Sequence, residues 1–92
     1  MPHPYAEDRD DLLKRLARIE GQVRGIARMV EQDKYCVDVL NQIAAVNAAL
    51  DKVGTRLLSD HIRGCVADAA SGQDRDAKVE ELIGVVERFV KT

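Results

Sequence analysis

Three side chains in this 92-residue sequence could bind a soft metal ion together: Cys36, His61 and Cys65. Two thiols and one imidazole form an S/S/N set, which favours a thiophilic ion over a hard one. Three protein ligands fit trigonal Cu(I), whereas zinc would want a fourth partner. His61 and Cys65 are four positions apart, so a helix carries them on one face, one turn apart. Cys36 precedes His61 by 25 positions. On one straight helix that separation is ~37 Å at ~1.5 Å per residue, too far for a single ion to bridge. Either the chain folds back between them or Cys36 comes from a second subunit. The residue types alone also admit a plainer reading, in which the thiols are small buried hydrophobes and the histidine is a surface residue.

Which of these holds depends on the helices. Both prolines lie before residue 5, so nothing interrupts long helices after that point. Leu12, Leu16, Ile19, Val23, Ile26 and Val30 recur at 4-3-4-3-4, a heptad seam. This predicts a first helix from the acidic stretch at Glu7–Asp10 to about Gln32. Gly21 and Gly25 lie inside it, marking either close helix approach or tolerated surface positions. Asp33-Lys34-Tyr35-Cys36 reads as a turn with Asp33 as the cap of the next helix. That helix runs through Val39, Leu40, Ile43, Val46, Leu50, Val53 and Leu57 and on past His61. Gly54 is the one candidate break, and the apolar period continues across it, so the spacing predicts a single helix to about Ala70. Ser71-Gly72-Gln73-Asp74 reads as a stop followed by a new cap. A short third helix follows, with Val79, Leu82, Ile83, Val86, Phe89 and Val90 as its apolar residues.

The fold expected is all-α, with two long helices in a hairpin and a third appended, as one domain over residues 1–92 with a flexible tail at 1–6. Two copies of the second helix, paired antiparallel, bring Cys36 of one near His61 and Cys65 of the other. The midpoint falls near Ala49 and Leu50, within an Ala-rich apolar stretch suited to a two-fold axis. Two identical sites result, as an isologous dimer requires, and the paired hairpins make an antiparallel four-helix bundle.

Composition agrees with an oligomer. The chain is 46% hydrophobic with one Phe, two Tyr and no Trp. Its core must be aliphatic, and a chain this small with long helices often associates to bury enough surface. Two cysteines make no disulfide framework, no apolar run approaches a membrane span, and the N-terminus lacks a secretory pattern. The expectation is a cytoplasmic protein with reduced thiols. The formal net charge of −2 argues against nucleic acid. Its distribution argues otherwise, because Arg9–Arg28 holds six basic and three acidic residues. Arg15, Arg18 and Gln22 flank the first seam at i, i+3 and i+7, with chemistry suited to phosphates and base edges. Lys52 and Arg56, one turn apart on the second helix, could extend that flank. Without further evidence the same residues read equally as a solvated charged face.

Four segments carry a family resemblance: Leu16-Ala-Arg-Ile-Glu-Gly-Gln-Val23, Tyr35-Cys-Val-Asp-Val-Leu-Asn-Gln-Ile-Ala-Ala45, His61-Ile-Arg-Gly-Cys65 and Val79-Glu-Glu-Leu-Ile83. Over essentially its full length the chain resembles the copper-sensing operon repressor family (CsoR/RcnR-type). The resemblance implies an all-helical dimer or dimer of dimers without a helix-turn-helix. It also implies a repressor of copper efflux or resistance genes, bound to operator double-stranded DNA when metal-free and released by Cu(I). Cys36, His61 and Cys65 match the family's copper ligands. Tyr35 and Glu81 match positions that link the metal to the third helix, and Arg15 and Lys52 match basic positions on the DNA face.

Similar sensors respond to other signals. Nickel and cobalt sensors recruit an N-terminal histidine, here His3. Formaldehyde sensors use an N-terminal proline and the first cysteine, here Pro2 and Cys36. Persulfide sensors use two cysteines without the middle histidine, and His61 therefore favours copper. A cytosolic copper buffer is a separate possibility, but it has no need of a basic flank. No Cys-x-x-Cys, short-range nucleophile–base pair or glycine-rich phosphate loop suggests an enzyme.

Overall fold

The computed structural model of the protein describes residues 4–70, 72 and 75–90. Every regular element among them is helical. A 3-10 turn at Ala6–Asp8 leads into α1 (Arg9–Glu31), followed by α2 (Cys36–Ala70) and α3 (Arg75–Val90). The all-α expectation with three helices is borne out. Asp10 and Asp11 occupy the first turn of α1 and Arg28 its last, each opposing the helix dipole with the favourable sign.

The turn between α1 and α2 corrects one expectation. Asp33 closes α1 instead of capping α2. It adopts a left-handed conformation at φ 55°, which a short polar side chain tolerates better than most. The Asp33 amide donates to the Val30 carbonyl at 3.1 Å and the Lys34 amide to the Met29 carbonyl at 3.0 Å. These paired bonds are a Schellman closure, satisfying two carbonyls that the helix end would otherwise leave open. Tyr35 then begins α2, its carbonyl accepting the first bond of that helix from the Val39 amide at 3.2 Å.

α2 is continuous over 35 residues and passes through Gly54 without a break. A helix interior tolerates glycine at a cost of about 1 kcal/mol relative to alanine, and no proline stands nearby to turn that cost into a stop. Gly72, just past the end of α2, has φ +82°, a conformation open to glycine after a helix. The cap expected at Asp74 lies outside the described residues.

The chain forms two compact units. Residues 7–55 make one, containing α1, the turn and the first part of α2. Leu12, Ile19, Val46 and Val53 are its buried side chains. On each helix the two buried residues are one heptad apart. The alternate seam residues Leu16, Val23 and Val30, also one heptad apart, are 40%, 50% and 59% exposed. Ile43 and Leu50 repeat this pattern on α2 and are exposed as well. The seam thus has one row buried within the hairpin and one row left open. Neither glycine of α1 marks a close approach within the chain. A Cβ at Gly25 would meet nothing within 4 Å, and one at Gly21 would meet only the Arg24 side chain at 3.9 Å.

The other unit holds residues 56–92 together with the N-terminal residues up to Ala6. Cys65 and Asp60 are buried here, while Leu58, Ile62, Leu82, Val85 and Val86 are half-buried. Asp60 lies 4.0 Å from the Arg63 guanidinium. Among the described residues no large side chain is fully buried. So thin a core leaves an exposed apolar row with a physical use, because association removes it from water.

Candidate metal centre

One helical turn of α2 builds most of the site. His61 and Cys65 are i and i+4 on that helix, and His61 Nε2 lies 3.9 Å from Cys65 Sγ. Bond lengths of ~2.3 Å to sulfur and ~2.0 Å to nitrogen put the two donors about 3.7 Å apart at a trigonal centre. The pair therefore fits one metal ion with little adjustment. Cys65 is buried, and the His61 side chain is about one-third exposed.

α3 holds both residues from the other side. Glu81 Oε1 is 3.3 Å from His61 Nε2. The Cys65 thiol donates to the Lys78 carbonyl at 3.7 Å, within reach of a weak sulfur hydrogen bond. Cys65 also lines a small apolar cleft with Val66, Lys78, Val79 and Leu82. The Glu81 position was legible from the family resemblance. The Lys78 carbonyl was not, since a backbone acceptor leaves no mark on residue identity.

Cys36 and Tyr35 belong to the unit of residues 7–55. Cys36 is exposed and opens α2, and Tyr35 is 69% exposed. Among the described residues no three His, Cys, Asp or Glu side chains come together to hold a metal. A single chain supplies two of the three expected ligands at one place.

The expected DNA residues differ in how they are presented. Arg15 is exposed, and its Nε donates to Asp11 Oδ2 at 2.9 Å, which offsets part of its charge. Arg18 and Lys52 are exposed and form no ion pair among the described residues. Arg56 is exposed and follows Lys52 by one turn. Gln22 is half-buried, and its amide oxygen is shielded from water without a hydrogen bond among the described residues. His3 and Pro2 lie outside the described residues.

One contact at this turn was not anticipated. Gly64, between His61 and Cys65, packs under Pro4. A Cβ at position 64 would stand 3.2 Å from Pro4 Cγ and 3.3 Å from Pro4 Cβ. The available signal was a glycine inside a helix next to two ligand residues.

Residues 8–88 match the metal-sensitive transcriptional repressor family. The chain is 49% identical to the copper-sensing transcriptional repressor CsoR of Bacillus subtilis (strain 168), over 98% of this chain and 89% of that protein. It is also 49% identical to the copper-sensing transcriptional repressor RicR of Mycobacterium tuberculosis (strain ATCC 25618 / H37Rv), over 98% and 96%. Among solved structures it resembles the copper-sensing repressor CsoR with Cu(I) from Geobacillus thermodenitrificans NG80-2. That match has a TM-score of 0.83 and 45% identity, covering 91% of this chain and 88% of the other. The nickel-responsive transcriptional regulator InrS is similar at a TM-score of 0.79 and 40% identity, with 87% and 90% covered.

Proposed function

Because this chain belongs to the metal-sensitive transcriptional repressor family, we propose that it is a Cu(I)-responsive repressor. It holds operator double-stranded DNA when metal-free and leaves it when Cu(I) is bound, derepressing copper efflux or resistance genes. The observation that carries this reading is the His61–Cys65 pair at 3.9 Å, with an exposed Cys36 25 residues earlier on the same unbroken helix. Bound Cu(I) would supply a link among two thiolates and one imidazole. A soft S/S/N set favours that ion over nickel, which prefers harder and more numerous ligands.

The third ligand is Cys36 of the partner subunit. The exposed residues Ile43, Leu50 and Leu57 are one heptad apart, and Cys36 and Gly64 continue the same row at its two ends. An antiparallel copy centred on Leu50 brings position 36 opposite position 64, between His61 and Cys65. The same pairing covers the open apolar row, giving a homodimer with a four-helix bundle and two equal sites. Two such dimers form the homotetramer, and one domain over residues 1–92 carries both metal sensing and DNA binding. The working compartment is the cytoplasm, where thiols stay reduced. No described helix is long and apolar enough to cross a membrane.

Arg15, Arg18, Lys52 and Arg56, with Gln22 on the same flank, form the DNA face. A tetramer carries a formal charge of four times −2, so the duplex meets a local basic face on an acidic particle, and binding is sensitive to salt. Coupling runs through α3. Glu81 touches His61 and Lys78 touches Cys65, so any shift of the ligand pair is passed to that helix. Tyr35, next to Cys36, does the same at the other end of the site. Metal and DNA then weaken each other by one coupling free energy.

The test is an anaerobic Cu(I) titration of the reduced protein on fluorescent DNA from its own promoter region. Release at one Cu(I) per chain, lost in Cys36→Ala, supports the reading. Tight copper binding without DNA association would make the protein a buffer. Release by nickel, formaldehyde or persulfide but not by copper would replace the signal.

A further inference from the structure

We propose that Pro4 and Gly64 form a seat that fastens the N-terminal segment onto the ligand turn and controls access to His61 and Cys65. This rests on the metal-site reading above and adds two positioning residues to it. Glycine inside a helix is unfavourable by about 1 kcal/mol against alanine, yet it occupies the position between the two ligands. The space that a side chain would fill holds the Pro4 ring, with Cγ and Cβ at 3.2 and 3.3 Å from an added Cβ. Few real side chains make so close a contact, and a rigid pyrrolidine cannot swing aside as a flexible chain would. Any residue larger than glycine must lift the segment. Proline also suits the seat because it brings no backbone N–H that would need a partner against the helix.

The surroundings support the seat. The segment up to Ala6 belongs to the same compact unit as residues 56–92, and Tyr5, next to Pro4, is half-buried. Gly64 is one turn from His61 and adjacent to Cys65, which is 8% exposed. It also lies opposite the position from which Cys36 of the partner subunit approaches in the proposed dimer. Exchange of Cu(I) between thiolates requires the incoming ligand to reach the metal. A seated segment slows that approach and slows chemical modification of Cys65, without adding a ligand.

The experiment compares the full-length wild type with Gly64→Ala, Pro4→Ala and the double variant. Amide hydrogen exchange at residues 5–8 and alkylation of Cys65 by N-ethylmaleimide are measured without metal, and withdrawal of Cu(I) by excess bathocuproine disulfonate is measured with it. Each single variant is expected to raise all three rates by about tenfold, with one Cu(I) still bound per chain and the double variant no faster than the singles. Rates within about twofold of wild type in both single variants, or effects that multiply in the double, overturn the seat. A wild type that takes up no copper overturns the functional reading instead, and the two metal-free rates still decide the seat.

Discussion

His61 contacts both groups that could make it a signal carrier, Cys65 Sγ at 3.9 Å and Glu81 Oε1 at 3.3 Å. Its removal should separate binding from response. In His61→Ala the two thiolates remain, so Cu(I) is still retained, but the link to α3 is lost. The DNA affinities with and without Cu(I) should then converge, erasing a coupling of about 1–3 kcal/mol. Equal coupling in the variant would contradict the role given to His61. On the DNA face, Arg18 is exposed and forms no ion pair among the described residues. Arg18→Ala should weaken binding on all sequences alike. The plot of log affinity against log salt should become shallower by about 0.9 for one lost phosphate contact. A Gly25→Ala change should raise stability against urea by about 0.8–1 kcal/mol, because a Cβ there meets nothing within 4 Å. A loss of stability would mean that a partner helix closes on that position.

At the scale of the helices, the sequence was most readable where the apolar period was longest. The seam of Leu12 to Val30 defined α1, and the continuing period across Gly54 correctly outweighed that glycine in α2. The turn was harder to read, since Asp33 suits both a helix cap and a left-handed closure, and only the hydrogen bonds to Val30 and Met29 distinguish them. Periodicity could not reveal which seam residues a chain buries by itself. Ile19 and Val23 look alike in sequence, yet Ile19 is buried and Val23 half exposed. This division predicts different consequences. Ile19→Ala should cost about 2–5 kcal/mol in the denaturation midpoint. Val23→Ala should change the fold of a protomer by under ~0.5 kcal/mol and instead weaken association, as read by sedimentation at falling protein concentration.

The whole molecule is where one chain's sequence and one chain's structure stop short of the complete site. His61 and Cys65 were legible as a pair from their i, i+4 spacing, and the structure brings them together with Glu81. Cys36 was legible as a ligand type, but its partner depends on a second copy, which no pattern within one chain can display. The open row of Ile43, Leu50 and Leu57 is the physical trace of that copy. Leu50→Asp puts a charge at the proposed centre and should split the dimer while keeping the helices, with loss of tight Cu(I) uptake. The most direct measurement of the central claim mixes two defective chains. Cys36→Ala lacks one ligand, and a chain carrying both His61→Ala and Cys65→Ala lacks the other two. Neither alone should hold Cu(I) tightly against a competing chelator. After subunit exchange, a site shared between subunits predicts that the mixture regains tight binding, with one complete site in each mixed dimer. A mixture that stays as inactive as its components would contradict an inter-subunit site.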